Sequence, residues 1–486
     1  MKILQAASEA FPFCKTGGLA DVTGALSRFF AGAEGVEELV LFLPKYRNAG
    51  GGAFSFKAVP GSYVVPVSGR FEKASLYLAQ WGKVKVYFVE NQKYFDRPGL
   101  YRGPHGDYQD NDERFIFFSR AVLEGAKFLG FKPDIIHCHD WQTALIPAYL
   151  KTLYLIDAFF AKTATVFTVH NIAYQGMFGR ETFIKAGFGW MDFTPDKLEF
   201  YGGINFMKAG IVFADFITTV SPTYALEIQS GADFGKGLEG VLKSRSEKLF
   251  GILNGIDTEI WDPATDTFIY RGYDHKTFWR GKPHCKKSLQ KELGLKEDKN
   301  AVLAGCVSRL DWQKGIDIIA ESAGEFCGKM QFVFLGIGEP SITQSLKKLS
   351  DENPGTVVFI NSFDEEMAHK IYASCDIFLM PSRFEPCGLS QMIAMRYGAL
   401  PVVNATGGLR DTVFYDKDNF TASNGFSLGF PNADNLKSML GHILSLYSSR
   451  ELWNSAVKNA MKGDYSWNKS AAEYLKLFGL LKNSRY

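Results

Sequence analysis

The chain has 486 residues, of which 46% are hydrophobic and 22% are charged, and these are values of a globular protein. This length exceeds what one ordinary hydrophobic core accommodates, so we expect two domains of roughly 200–250 residues each. The 54 Lys and Arg residues nearly balance the 52 Asp and Glu residues, and the net charge of +2 gives no general attraction for nucleic acid or for an anionic membrane surface. We therefore expect neither as a partner.

The cysteines indicate the compartment. There are seven, and no two form a Cys-x-x-Cys pair, which is typical of reduced thiols and not of a disulfide framework or a zinc site. Met1 leads directly into a strand pattern, and no apolar run is long enough to span a bilayer. We therefore expect a cytoplasmic protein without a membrane partner.

Short runs of β-branched and aromatic residues alternate with helical patterns along the chain. The runs cover residues 2–7, 38–43, 84–89, 134–137, 164–169, 216–220 and 249–253 in the first half, and 301–307, 331–335, 356–360, 376–380 and 400–403 in the second. Such alternation is typical of parallel sheets. Each half is therefore predicted to be a doubly wound α/β domain.

Two further segments bear on the domain organisation. The polar stretch 262–300 lacks strong periodicity, and it predicts a surface excursion or a helix just inside the second domain, with the crossing between domains near residues 245–260. The last segment, 467–481, has Tyr474, Phe478 and Leu481 on one helical face. This face predicts a helix that packs on a hydrophobic surface.

The pattern Thr-Gly-Gly-Leu-x-Asp occurs twice, at Thr16–Asp21 and at Thr406–Asp411. Each copy lies between an apolar run and a helical pattern. Paired glycines at a helix start allow backbone N–H groups to approach an oxygen-rich ligand, and the helix dipole favours negative charge there. The two copies predict that both halves bind one anionic ligand, and the alternative is a pair of tight turns in which the Asp helps to cap the helix.

Polar side chains follow five of the predicted strands. Ligands of open α/β sheets bind outside the carboxyl ends of the strands, so these side chains are candidates for a site. They are Lys15, His137, His139, Asp140, His170, Asn171, Arg309, Lys314 and Glu385. Cations, imidazoles and carboxylates in this combination suit an anionic leaving group beside a polyhydroxylated substrate.

Long stretches of the sequence resemble bacterial glycogen synthases and plant starch synthases. The N-terminal signature of that family matches KTGGLADV from Lys15, and further matches are FTVHNIAYQGMF from Phe167, VSPTYALEI from Val220, LNGID from Leu253, PSRFEPCGLSQ from Pro381 and ATGGLRDTV from Ala405. The matches follow the order of the family over residues 1 to about 470. The resemblance therefore covers the whole chain.

The resemblance implies a GT-B fold, in which two doubly wound Rossmann-like domains face each other across a cleft and the C-terminal helix crosses back to the first. We place the N-terminal, acceptor-side domain at 1–250, completed by helix 466–486, and the nucleotide-sugar domain at 251–465. The implied activity is transfer of glucose from ADP-glucose to the 4-hydroxyl at the non-reducing end of an α-1,4-glucan (glycogen or starch), with retention of configuration. No cofactor and no metal is implied, and the oligomeric state stays open.

The resemblance also implies roles for individual residues. As catalytic residues it implies Arg309 and Lys314 for the diphosphate, Glu385 for sugar hydroxyls, His170 for the donor sugar and Asp140 for a donor or acceptor hydroxyl. The implied substrate-binding residues are Lys15, Gly17, Gly18, Asp21, His139, Asn254, Phe363, Cys387, Gly388, Thr406, Gly407 and Gly408. The alternatives from the residues alone are surface cations, a salt-bridged structural Glu385 and a core histidine at 170.

The sequence departs from the wider family pattern at two positions. The Glu-x7-Glu pattern of retaining transferases is broken at Ile393, and the glycogen and starch synthase group also lacks that second Glu. Phe363 stands where the family has an aromatic residue against the adenine, and Phe in place of Tyr keeps the stacking face but loses the hydroxyl. A buried core phenylalanine is the alternative at that position.

Other functions fit parts of the sequence. A related transferase could use UDP-glucose or another acceptor, and an inactive homologue could only bind glucan. A metal-dependent GT-A transferase would use Asp-x-Asp, as at Asp110–Asp112 or Asp416–Asp418, but neither follows an apolar strand pattern. The His-x-His-Asp run that ends at Asp140 resembles metal ligands but lacks a second cluster. A PLP-dependent phosphorylase is disfavoured because we find no segment that resembles its cofactor lysine motif.

Overall fold

The computed structural model describes residues 1–484. The chain forms two compact units. The first contains residues 1–254 and the described residues from Trp467 onward, and the second contains Gly255–Ser466.

The first unit is built on a ten-stranded sheet with two small sheets beside it. Its strands are β1 (Lys2–Ala6), β2 (Glu38–Pro44), β3 (Lys57–Ala58), β4 (Tyr63–Val67), β5 (Arg70–Trp81), β6 (Val84–Glu90), β7 (Arg102–Gly103), β8 (Gly106–Asp107), β9 (Ile135–His139), β10 (Ala164–Val169), β11 (Met177–Phe178), β12 (Glu199–Phe200), β13 (Gly203–Asn205), β14 (Phe216–Thr219) and β15 (Leu249–Gly251). The main sheet has the order β15-β14-β10-β9-β1-β2-β6-β5-β3, and β4 pairs with β5.

Parallel pairing joins the strands from β15 to β6, and antiparallel pairing joins β3, β4 and β5 to that sheet. The helices are α1 (Gly18–Gly32), α2 (Gln92–Phe95), α3 (Asn111–Phe128), α4 (Leu145–Lys151), α5 (Arg180–Ala186), α6 (Phe206–Phe213), α7 (Pro222–Glu227), α8 (Ala232–Gly235) and α9 (Glu239–Ser244). Central strands such as β9 and β10 are buried along their whole length, which explains why they are continuous apolar runs in the sequence.

The second unit has a six-stranded sheet that is parallel throughout. Its helices are α10 (Phe278–Glu292), α11 (Ile316–Ala323), α12 (Pro340–Glu352), α13 (Glu365–Ser374), α14 (Ser390–Arg396), α15 (Gly407–Thr412), α16 (Ala433–Ser448) and α17 (Arg450–Lys462). Its strands are β16 (Val302–Val307), β17 (Met330–Leu335), β18 (Val357–Ile360), β19 (Ile377–Met380), β20 (Leu400–Asn404) and β21 (Phe426–Leu428), in the order β18-β17-β16-β19-β20-β21.

Each of the twelve predicted strands is present, with ends that lie within two residues of the predicted ones. The antiparallel hairpin of β4 and β5 was not predicted. Its turn is Ser68-Gly69, and both residues have positive φ, as a two-residue hairpin turn requires. That dipeptide, directly after the apolar run 63–67, is the signal from which the hairpin could have been inferred.

Of the two predicted forms of the polar stretch 262–300, the helix is confirmed and the surface excursion is not, because α10 lies within it and packs on the second unit. Lys282 and Lys286 of this helix are buried. Lys286 Nζ lies 2.7 Å from Asp376 Oδ2, and Lys282 Nζ donates to the carbonyl oxygens of Ala373 and Tyr397 at 3.1 and 2.9 Å. Buried lysines with internal partners made the helix look solvent-exposed in the sequence.

The predicted apolar face of the C-terminal helix packs into the core of the first unit. In α18 (Trp467–Asn483), Tyr474, Phe478 and Leu481 are buried in one cluster with Phe30 of α1. The Phe30 and Phe478 rings are 5.4 Å apart. The helix is therefore part of the first unit's core.

The sequence also led us to expect no membrane-spanning segment and no disulfide framework. Across residues 1–484, no helix combines the length and apolar character needed to cross a bilayer. All seven cysteines are free thiols, and five of them are buried.

We expect Phe478→Ala to destabilise the first unit by about 3–5 kcal/mol, because it removes a fully buried ring from the cluster around Phe30. Leu480→Ala is the matched control, since Leu480 lies on the same helix but is 56% exposed. Urea unfolding followed by circular dichroism measures both variants. Equal midpoints for the two would contradict the packing role of the helix.

Candidate active site

The polar candidates of the first unit lie where its strand order reverses. The chain adds β2 and β6 on one side of β1, and β9, β10 and β14 on the other. A crevice forms at the carboxyl edge of the sheet at such a point, and ligands of open α/β sheets bind there. The loop with Lys15 follows β1, Asp140 follows β9, and His170 follows β10. The structure thus brings these three positions to one edge.

A buried carboxylate holds the loop that carries Lys15. Glu9 accepts hydrogen bonds from the Thr16 backbone N–H at 2.5 Å and from the Thr16 and Tyr101 hydroxyls at 2.7 Å each. Glu9 is only 4% exposed. Because Glu9 holds Thr16, which lies just before α1, it stabilises the first glycine turn without the help of a ligand.

The glycines of the first turn are open to solvent. A Cβ atom added at Gly17 or Gly18 would meet no heavy atom within 4 Å. Lys15 Nζ forms an ion pair with Asp21 Oδ1 at 2.7 Å, and both side chains are partly exposed. Because packing does not require glycine at these two positions, close approach of a ligand is the physical reason that remains.

Asp140 and His170 are joined through the backbone. Asp140 Oδ1 accepts a hydrogen bond from the His170 N–H at 2.8 Å, and Asp140 itself has a positive φ of 54°. Burial raises the pKa of Asp140 to about 7, against the lowering effect of the backbone N–H groups of His170 and Asn171. Burial also lowers the pKa of His170 to about 3. This shift favours the uncharged imidazole of His170 near neutral pH.

His139 lies behind His170 and not at the surface of the edge. It is fully buried, its Nδ1 lies 2.9 Å from His170 Nε2, and its Nε2 lies 2.9 Å from Gln5 Nε2. Burial lowers the pKa of His139 well below its ordinary value, and His137 and His170 add to this effect. With both ring nitrogens engaged, direct contact of His139 with a substrate does not fit this geometry.

Asn254, the last residue of the first unit, is buried as well. In the range 1–484 its side-chain oxygen has no hydrogen-bond partner. A buried acceptor without a partner is uncommon, and a ligand hydroxyl would satisfy it.

The second unit repeats the arrangement at its own strand reversal. Its chain order changes direction between β16 and β19. Arg309 and Lys314 follow β16, and Glu385 follows β19. Lys314 Nζ and Glu385 Oε2 form an ion pair at 2.6 Å, with side chains 17% and 7% exposed, whereas Arg309 is 57% exposed and lies 3.4 Å from Asp311. Arg309 is thus the more available cation.

Several contacts hold the loop that presents Glu385. Ser382 Oγ donates to Glu385 Oε2 at 3.2 Å, and Gln313 Nε2 donates to the Phe384 carbonyl at 3.2 Å. Arg383 forms a bidentate pair with Asp317, at 2.8 and 2.6 Å. Within the described chain, Glu385 Oε1 has no hydrogen-bond partner, so this oxygen is available to a ligand.

The second glycine pair has a packing reason that the first lacks. A Cβ atom at Gly407 would lie 2.0 Å from the Glu385 carbonyl oxygen, and one at Gly408 would lie 2.2 Å from the Cys387 carbonyl oxygen. The Gly408 N–H donates to the Pro386 carbonyl at 3.1 Å. The turn therefore supports the Glu385 loop, and a phosphate contact is not needed to explain these glycines.

The other predicted residues near this turn lie in two adjacent loops, Cys387 and Gly388 after β19 and Thr406 after β20. Cys387 and Thr406 are buried, and Gly388 has a positive φ of 73°.

Phe363 follows β18 at the same carboxyl edge of the second unit's sheet, and it is 82% exposed. This exposure excludes the alternative of a core phenylalanine and leaves a ring face free for stacking.

Sequence reasoning missed the residues that position the candidates. These are Gln5, Glu9 and Tyr101 in the first unit and Gln313, Ser382 and Arg383 in the second. Arg383 and Ser382 lie inside the matched phrase from Pro381, which was their only signal.

The two histidines of the His-x-His-Asp run have hydrogen-bond partners within the protein. His137 Nε2 lies 2.7 Å from Thr168 Oγ1, and His139 is engaged as described. In the part of the chain that the structure describes, no group of three or more His, Cys, Asp or Glu side chains is placed to hold a metal ion.

Comparison with known proteins now gives the family. The family model described as starch synthase catalytic domain matches residues 2–244, and that of glycosyl transferases group 1 matches residues 286–462. Glycogen synthase from Elusimicrobium minutum is 51% identical over 479 residues, which are 98% of this chain and 99% of that protein. Glycogen synthase from Thermotoga maritima is 44% identical and covers 98% of each chain.

Solved structures agree with the sequence comparisons. The catalytic domain of starch synthase IV from Arabidopsis thaliana, bound to ADP and acarbose, superimposes with a TM-score of 0.91 at 34% identity and covers 99% of both chains. Sucrose-phosphate synthase from Thermosynechococcus elongatus shares the fold, with a TM-score of 0.60 at 16% identity.

Two parallel-sheet α/β domains, each with polar residues at its strand reversal, define a glycosyltransferase of the GT-B fold. The chain belongs to the glycogen synthase and starch synthase family. The predictions of family and fold class are confirmed, and the GT-A alternative is excluded.

The raised pKa of Asp140 predicts a pH-dependent stability. Between the ordinary carboxyl pKa of 3.8 and about 7, the folded state binds the extra proton, so the free energy of unfolding falls as pH rises through this window. We expect wild type to lose about 1–4 kcal/mol relative to Asp140→Asn between about pH 4 and pH 8, with no further change at higher pH.

Denaturant unfolding of both proteins at several pH values measures this difference. The buried histidines, whose pKa values are lowered, destabilise both proteins as pH falls, so their effect cancels in the comparison. Parallel stability curves would show that Asp140 titrates normally.

Proposed function

We propose that the protein transfers glucose from ADP-glucose to the 4-hydroxyl at the non-reducing end of an α-1,4-glucan, with retention of configuration. The observation that carries the proposal is the charged group at the strand reversal of the second unit. There Arg309 is exposed, and Lys314 holds one oxygen of Glu385 while the other stays available.

Arg309 and Lys314 would bind the diphosphate of the donor. Cleavage of the glucosyl–phosphate bond places negative charge on the β-phosphate oxygen, and cations fixed at that point stabilise the transition state more than the ground state. Glu385 Oε1 would accept a hydrogen bond from a hydroxyl of the donor glucose. Lys314 keeps Glu385 in place for this contact.

The first unit would supply groups for the sugars. His170 would contact the donor glucose as a neutral imidazole, and Asp140 would bind a donor or acceptor hydroxyl. Lys15, with Gly17 and Gly18, would approach the phosphates or the sugar, since the glycine turn is open.

Adenine recognition is assigned to Phe363. Its exposed ring offers a stacking face without base-specific hydrogen bonds. The related starch synthase IV is bound to ADP and acarbose, which supports nucleotide and glucan as ligands of this chain. The free thiols suit a reducing compartment, so a cytoplasmic enzyme that acts on stored glucan is part of the proposal.

The test is direct. Purified protein is incubated with glycogen and labelled ADP-glucose or UDP-glucose, and the label incorporated into glycogen is counted. We expect incorporation from ADP-glucose, lost on digestion with an α-1,4-specific amylase. A preference for UDP-glucose would favour the related transferase, and no incorporation with retained glycogen binding would favour an inactive homologue.

Arg309→Ala and Lys314→Ala should each lower kcat by roughly 10²–10³, because a preorganised charge is lost in the transition state. Lys348→Ala, which removes an exposed lysine of the same unit, is the control. Lys314→Ala should also lower the unfolding midpoint, since it leaves the buried Glu385 carboxylate unpaired, whereas Arg309→Ala should not. If both variants raise only KM and leave kcat within about threefold, the two cations bind the ground state and the transition state equally, which would contradict their proposed role.

Phe363→Ala should raise the KM for ADP-glucose about tenfold, a loss of roughly 1–1.5 kcal/mol of stacking. Phe430→Ala removes another exposed ring of the second unit and should leave KM unchanged. Steady-state kinetics at saturating glycogen gives both values. An unchanged KM for Phe363→Ala would place the adenine elsewhere.

A further inference from the structure

We propose that Gln5, acting through His139, sets which ring nitrogen of His170 carries the proton, so that His170 offers an Nδ1–H group to the substrate. Gln5 and His139 would then be positioning residues. The consequence for catalysis rests on the proposed function, but the proton position itself does not.

The three side chains form a continuous line across neighbouring strands. Gln5 lies in β1, His139 ends β9, and His170 follows β10. Gln5 Nε2 is 2.9 Å from His139 Nε2, and His139 Nδ1 is 2.9 Å from His170 Nε2. Each contact has the length of a hydrogen bond.

The chemistry of the groups assigns the protons. An amide nitrogen only donates, so His139 Nε2 is the acceptor from Gln5. A neutral imidazole carries one N–H, so His139 donates from Nδ1 to His170 Nε2. His170 then accepts at Nε2 and keeps its own proton on Nδ1. Both rings are neutral, because burial lowers the pKa of each.

The amide of Gln5 is held from α1. The Ser27 hydroxyl lies 2.9 Å from Gln5 Oε1 and 2.8 Å from the Thr23 carbonyl oxygen, and Gln5 Nε2 lies 3.4 Å from the same carbonyl. Gln5, Ser27 and His139 are fully buried. The Thr23 carbonyl can only accept, so it favours the amide nitrogen of Gln5 on its side, and the helix that begins at the first glycine turn thereby orients the amide.

The open end of the line is His170 Nδ1. It has no hydrogen-bond partner among residues 1–484, and His170 is only partly buried. A donor at this point suits a sugar hydroxyl or a phosphate oxygen, whereas an unprotonated Nδ1 would repel the lone pairs of a phosphate. If the proton is already on Nδ1, the His170 ring does not have to change tautomer when the substrate binds.

The experiment reads the proton position without substrate. Protein with ¹⁵N-labelled histidine is studied by long-range ¹H–¹⁵N NMR at pH 7, and His170→Asn assigns the His170 signals. Wild type should show a single tautomer with Nδ1–H, and an Nε2–H tautomer would overturn the proposal.

Gln5→Met, which keeps the size but removes the donor, tests the origin of the effect. We expect both tautomers of His170 and a kcat lowered about tenfold, by analogy with the loss of a partner that orients a metal-bound histidine, with little change in KM. Thr168→Val is the control, because it removes a buried hydroxyl that contacts His137 at 2.7 Å and Thr218 at 2.6 Å and makes no hydrogen bond to Gln5, His139 or His170 in the described chain. It should leave both the tautomer and kcat unchanged.

The outcomes separate the two proposals. A single Nδ1–H tautomer retained in Gln5→Met would overturn the role of Gln5, whatever the activity. An enzyme without glucosyl transfer whose tautomer responds to Gln5→Met would contradict the proposed function and leave the inference standing. Thermal unfolding of each variant verifies the fold.

Discussion

The structure depends on one constraint, that parallel strands end at the same edge of their sheet. In each unit the chain order reverses beside its first long parallel strand, β1 or β16. The loops that follow β1, β9 and β10, and those that follow β16, β19 and β20, must therefore lie side by side. Residues far apart in sequence, such as Lys314 and Glu385, come within 2.6 Å for this reason.

The alternating pattern of the sequence predicted the strands of both sheets and the apolar face of the last helix. Patterns of this kind report whether a segment is buried, and they do so well for strands buried on both faces. They fail when a polar side chain is buried with a partner. From the sequence alone, Lys286 of α10 is expected to be exposed to solvent. In the structure it is buried, where it forms an ion pair with Asp376.

The candidate residues could be predicted from the sequence, but their positioning contacts could not. The carboxyl-edge rule and the family resemblance give Lys15, His170 and Glu385. Gln5 lies inside an ordinary apolar strand, 134 residues from His139, and nothing local marks it. The two glycine motifs show the same limit, since identical letters serve an open turn at Gly17 and a packed turn at Gly407.

The electrostatics of the two units differ in a way that suits glucosyl transfer. At its strand reversal the first unit places neutral imidazoles and an Asp140 whose pKa is raised, because burial there disfavours charge. The second unit places Arg309, Lys314 and Glu385, with the charge of the buried pair offset internally. In the proposed function, leaving-group charge would meet the cations of the second unit, while His170 of the first unit would offer the sugar an uncharged donor. Uncharged groups recognise a ligand through the direction of their hydrogen bonds and not through net charge. The position of a single proton on His170 would therefore matter for substrate recognition.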